Sequence, residues 1–111
     1  MPIDYAAEKF GNAIYSMVTS ANTESPQDRV HSAAMITHTL DQDDFTSSLW
    51  QRFQKFQAAV TRVSDEQKGS FRASADALTD MEAHDLLVEF YNLAHDVEEE
   101  YRRSVSRKTR P

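Results

Sequence analysis

Histidines 31, 38, 84 and 95 are the side chains best suited to acid–base chemistry or metal binding in this cysteine-free chain. Their spacing decides what they can do together. His31 and His38 are seven residues apart. On a helix that is one face but two turns, about 10.5 Å at 1.5 Å per residue. A metal ion needs each nitrogen within ~2.1 Å, which a helix supplies at spacings of three or four. Asp28, three before His31, adds one ligand and completes no set. His84 and His95, eleven apart, fail the same test. No metal ligand and no cofactor is assigned.

Carboxylates come next. Asp41/Asp44, Glu82/Asp85 and Asp96/Glu99 each have one-turn spacing. Acids so placed bind Mg²⁺ in some helical-bundle hydrolases of nucleotides, provided they face inward. At about 100° per residue, Asp85, Glu89 and Asp96 turn away from the apolar stripe of their own helix. A solvated acidic face is the better reading. Nucleophilic catalysis lacks its parts: there is no cysteine, and no serine sits in a glycine-bounded turn. Gly11 and Gly69 cannot together build a phosphate loop. No catalytic residue is assigned.

The elements that position these groups are predicted to be helices. Two glycines and three prolines in 111 residues leave little to build the tight turns of an all-β fold. A chain this long forms one domain with a buried core. The first helix is expected over residues 3–21, with Ile3, Ala6, Ala7, Phe10, Ala13, Ile14, Met17 and Val18 inward. Ser25 as N-cap and Pro26 at the first position start a second, over 26–40, with a narrow face of Val30, Ala33, Ile36, Thr37 and Leu40. The third, over 43–63, carries the heaviest stripe: Phe45, Leu49, Phe53, Phe56, Val60 and Val63. A short fourth, over 65–78, starts at the capping spacing Ser64–Gln67 and has a thin face of Phe71, Ala75 and Leu78. Thr79 and Glu82 form another capping pair, and open a last helix over 80–104 along Leu86, Leu87, Phe90, Leu93, Ala94, Val97 and Tyr101. The fold class is therefore all-α, a single compact bundle of four to five helices. Residues 105–111 are expected to form a frayed basic tail.

Charge narrows the partners. Residues 1–100 hold all 18 acids and seven of the twelve bases, and the last eleven residues hold five bases and no acid. The net charge is −6. An acidic body disfavours direct nucleic-acid binding, which runs on phosphate neutralisation. The absence of cysteine suits a reducing compartment. Met1-Pro2-Ile3-Asp4 lacks a basic start and a long apolar run, so no signal peptide is predicted. No stretch approaches the ~20 apolar residues of a membrane span. A cytoplasmic location is expected.

Two surface features remain. Between Arg72 and Arg102 there are nine acids and no Lys or Arg. Asp80 and Glu82 suit the positive end of the helix dipole, and Arg102 and Arg103 answer Glu98 and Glu99 one turn earlier. Asp85, Glu89, Asp96, Glu98, Glu99 and Glu100 make an acidic face that suits a basic partner surface, or serves solubility. The second feature is a row on the last helix: Met81, His84, Val88, Tyr91 and His95, spaced three, four, three and four. The row stands away from the Leu86–Phe90 stripe. A helix with two such faces is either central in its bundle or buries one face in a partner. Trp50 and Tyr15 also stand off their stripes and are of the types that anchor interfaces. For Trp50, sealing the core edge is an equal reading.

The expected function is a non-catalytic protein–protein interaction module, an inhibitor or regulator of a larger nucleic-acid-handling complex of the kind encoded by phages or mobile elements. In that role the acidic face imitates nucleic acid. The alternative is a homo-oligomeric structural or assembly protein, and the third reading is a metal-dependent nucleotide hydrolase.

Overall fold

Apolar residues recurring at three and four positions draw five helices together in a computed structural model that describes residues 2–20 and 23–109. They are α1 (Pro2–Thr19), α2 (Pro26–Thr37), α3 (Ser47–Val60), α4 (Ser70–Asp76) and α5 (Asp80–Thr109), with a 3₁₀ turn at Gln42–Asp44. No strand occurs among the described residues. α1 lies along α2 and α5, α2 also meets α4 and α5, and α3 closes the bundle against α5 and α4.

The core is a hub of aromatic rings drawn from three helices. Phe10 of α1 lies 4.9 Å from Phe90 of α5 and 5.8 Å from Phe53 of α3, centre to centre. Phe56 lies 4.9 Å from Phe90. These separations are those of stacked and edge-on ring pairs, which add to the area they bury. Around the hub, Ile3, Ala6, Ala13, Val30, Ala33, Leu40, Leu49, Val60, Leu93 and Val97 are buried. The heaviest stripe, on α3, thus meets ring partners from α1 and α5.

Two start signals work as read. The Asp28 amide donates to Ser25 Oγ at 3.1 Å, with Pro26 in the first turn. At α5 the Glu82 amide donates to Thr79 Oγ1 at 3.1 Å, and the Thr79 amide donates back to Glu82 Oε1 at 2.9 Å. The reciprocal pair satisfies two amides that have no partner inside the helix.

Other boundaries differ from expectation, each for a local reason. α2 ends at Thr37, three residues early. The third helix does not start at Asp43. The Asp43 amide donates to Asp41 Oδ1 and the Asp41 amide to Asp44 Oδ2, both at 2.9 Å, which closes a separate turn. Phe45 is then extended, at φ −133° and ψ 159°, and α3 begins afterwards and ends at Val60. The break lets the Phe45 ring reach Phe53 at 5.1 Å and Phe10 at 6.2 Å. The fourth helix does not start at Asp65 either. Asp65 Oδ1 accepts the amides of Gln67 and Lys68 in a turn of its own. Gly69 at φ 81° then makes the left-handed step into α4, a conformation that glycine takes at no steric cost.

α5 is the largest correction. It runs through Thr109, so residues 105–109 are helical rather than frayed. Arg103 and Arg107 both reach Glu100, at 3.4 and 3.2 Å, and Arg102 reaches Glu98 at 3.3 Å. Bases following acids along a helix favour continuation and suit its negative end. Ser104 is buried, so this stretch still packs on the body. At 1.5 Å per residue, 30 residues make a rod of about 45 Å, and the molecule measures 52 × 28 × 20 Å. Ala21, Arg110 and Pro111 lie outside the described residues.

Away from the hub, α2 and α4 are held together by charge. Arg72 lies 2.6 Å from Asp76 and 3.0 Å from Asp28. The Arg72 hydrogen bond, followed by that of Lys68, holds the Asp76 carboxyl below its ordinary range. A depressed carboxyl stabilises the fold above its unfolded-state pKa, and that stabilisation is lost as pH falls through the folded value. Acid should therefore lower the urea midpoint below about pH 4. Arg72→Met should flatten this decline, and equal slopes in the two proteins would show that the network contributes nothing.

Candidate interaction face

α1 and α5 run antiparallel, and the shallow seam between them is where most of the expected surface residues meet. Two hollows open along it. One, of about 350 Å³, is walled by Ala7, Gly11 and Ile14 of α1 and by Tyr91, Ala94 and His95 of α5, with Glu98 and Arg102 at one end. The other, of about 250 Å³, is walled by Met17 of α1, Arg29 of α2, and His84, Leu87, Val88 and Tyr91 of α5. Tyr91 borders both and is 56% exposed. Val88 is exposed one turn before it, and Met81 of α5 and Tyr15 and Val18 of α1 are exposed as well. His84 and His95 are also exposed.

The row Met81, His84, Val88, Tyr91 and His95 therefore stands on the surface, with His84, Val88, Tyr91 and His95 along the seam toward α1 and α2. Tyr15 stands on the surface too. Trp50 goes elsewhere: it is partly buried, 5.9 Å from Phe45 and 6.1 Å from Phe53, and seals the core edge. Val18, expected inward, is 69% exposed. It follows Gly11 by seven residues and Ala7 by eleven, so a helix places all three on one side.

Gly11 carries no signal for this face in the spacing of apolar residues, yet its geometry is informative. A Cβ added there would meet nothing within 4 Å. No packing inside the chain requires a glycine, and in a helix interior glycine costs about 1 kcal/mol relative to alanine. Gly11→Ala should raise stability by about 0.5–1 kcal/mol in urea unfolding. A loss would mean that the backbone there is tighter than the open space around it indicates.

The acidic face is interrupted by bases. Asp96 lies 2.6 Å from Arg52, Glu98 pairs with Arg102, and Glu100 with Arg103 and Arg107. The Arg52 hydrogen bond, with a smaller one from His95, holds the Asp96 carboxyl below its usual range. Asp85, Glu89 and Glu99 have no ion-pair partner among the described residues. Glu98 belongs to the α1–α5 seam rather than to the flank of Asp85 and Glu89.

The remaining histidines are local. His38 Nδ1 lies 2.6 Å from the Met35 carbonyl oxygen, and its ring lies edge-on to Phe71. His31 is partly buried on α2. Among the described residues no group of three or more His, Asp or Glu is placed to hold a metal ion. Among the described residues no helix is long and apolar enough to cross a membrane. Neither a protein-family model, nor a curated protein, nor a solved structure matches this chain.

Proposed function

We propose that this chain is a non-catalytic interaction module that docks a larger protein through the α1–α5 face and regulates it. One observation supports the reading above others: Tyr91, an exposed aromatic, lines both hollows of the α1–α5 seam, and exposed Val88 lines one of them with it. Exposed large apolar groups gathered on one side of a molecule mark interaction surfaces more often than scattered ones do. A tyrosine at the centre of such a patch is a typical binding anchor.

The partner class that fits is a protein with a basic surface, such as one built to handle nucleic acid. Asp85 and Glu89 supply the matching charge on the flank of α5. Reversing both to Lys should slow association more than it speeds dissociation, because exposed charge acts mainly on encounter. The wild-type rate should also fall as salt rises. A rate independent of salt would remove the charge part of the proposal and leave the apolar part.

The experiment that tests the whole reading is affinity capture with the wild type and Tyr91→Ala side by side, both verified as folded. A protein retained by the first and lost with the second is the expected result. Identical captured sets would overturn it. Light scattering on the eluted chain separates a foreign partner from a second copy, since a dimer disrupted by Tyr91→Ala would make the face a homo-oligomeric one.

A further inference from the structure

Among the described residues, arginines that are partly buried are matched with carboxylates, with one exception. Arg72 has Asp28 and Asp76, and Arg52 has Asp96. Arg29 has no ion pair among the described residues. It is partly buried, and its Nε is shut off from solvent with no hydrogen-bond partner. The closed Nε is out of a ligand's reach, but the two Nη groups stay open and have no carboxylate partner among the described residues. Arg29 lines the 250 Å³ hollow together with His84 and Tyr91, and the rest of that wall includes Met17, Leu87 and Val88.

We propose that the hollow lined by Arg29, His84 and Tyr91 is a binding site for a carboxylate carried on a short apolar body. The two Nη groups present paired donors, end on, to a carboxylate's two oxygens. His84 and Tyr91 line the same hollow and carry further donors. Met17, Leu87 and Val88 take the apolar body, in the usual division of labour of a ligand hollow. A single guanidinium answers one negative charge, and the net charge of −6 opposes a dianion such as phosphate. The carboxylate comes either from a free acid or from an acidic side chain of a docked protein. The site stands whether or not the α1–α5 face meets a partner.

The test uses the full ¹⁵N-labelled chain and 4-phenylbutyrate, followed by amide chemical shifts. Saturable shifts at Met17, Arg29, His84, Val88 and Tyr91 are expected, with a Kd of about 1 mM or tighter. The neutral isostere 4-phenylbutan-1-ol should bind at least about tenfold more weakly, since only the acid meets the paired Nη donors. Arg29→Met keeps an apolar stem and should lose about tenfold in affinity for the acid, with an unchanged or higher melting temperature. An acetylated Leu-Glu-Phe amide separates the sources: tighter binding than 4-phenylbutyrate supports a protein side chain, and weaker binding supports a free acid. No saturable shift, equal binding of the alcohol, or undiminished binding by Arg29→Met overturns the site. So does a fall in melting temperature on Arg29→Met, which would show that the guanidinium has an internal partner. None of these outcomes bears on Tyr91→Ala capture, so the two proposals fail separately.

Discussion

Phe53→Ala should destabilise the protein by about 3–5 kcal/mol, the range for truncating a buried aromatic. Phe53 is 1% exposed, and its ring lies within 6.3 Å of four others: Phe10, Phe45, Trp50 and Phe56. Truncation removes the transfer free energy of the ring and leaves a cavity that its neighbours fill only in part. Phe45 sits on a short extended segment and is only partly buried, so it has the most freedom to move in. For that reason the loss should fall short of complete unfolding. Urea unfolding by circular dichroism measures it, and a loss below ~1 kcal/mol would place the core elsewhere.

Tyr91→Ala should do the reverse: leave the melting temperature nearly unchanged and remove ~2 kcal/mol or more of partner binding. The argument rests on where the side chain ends. Its neighbour Phe90 is 1% exposed and belongs to the ring hub, whereas Tyr91 is turned 100° away along the same helix. Its ring borders the two hollows without being enclosed by either. Truncation therefore opens no internal cavity. In a complex the same ring would be surrounded and would lose its contacts outright. A paired measurement of melting temperature and binding decides the matter. A large fall in melting temperature would falsify the interface role of Tyr91.

Much of the fold is legible in short patterns. Ser25-Pro26 and Thr79…Glu82 mark helix starts because their side chains satisfy amides that no helix can satisfy for itself. The stripes along Phe10, Phe53 and Phe90 mark inward faces because burial follows the helical repeat. The misplaced boundaries come from competition between two local structures that a sequence permits equally. Asp41 and Asp65 can each cap a helix or close a turn, and the choice is made by where Phe45 and Phe71 must pack. The end of α5 is hidden because Arg107 reads as part of a solvated tail until Glu100 is seen to hold it.

The candidate site is legible by halves. The row on α5 shows in its spacing, because one helix sets it. The matching wall on α1 does not show, because it depends on which flank of α1 turns toward α5. Val18 reads as inward for that reason, and Gly11 gives no sign of the face. Arg29 carries no sequence signal at all, since only a three-dimensional arrangement leaves an arginine without a carboxylate. The sequence allows Trp50 equally in core and surface, and the break before α3 tips it toward the core by bringing Phe45 alongside.

The central ring pair has a consequence for how the chain comes to be folded. Phe10 and Phe90 touch across eighty residues of sequence. At synthesis rates of about 5–20 residues per second, Phe10 waits roughly 4–16 seconds for its partner to be made. During that interval α1 can pair with α2, but its seam toward α5 stays open to water and to other chains. The helix that completes the core also carries the exposed row. The docking face proposed here therefore cannot exist until the hub has closed, and a nascent or truncated chain lacking α5 would present apolar surface of a different kind, prone to self-association rather than recognition.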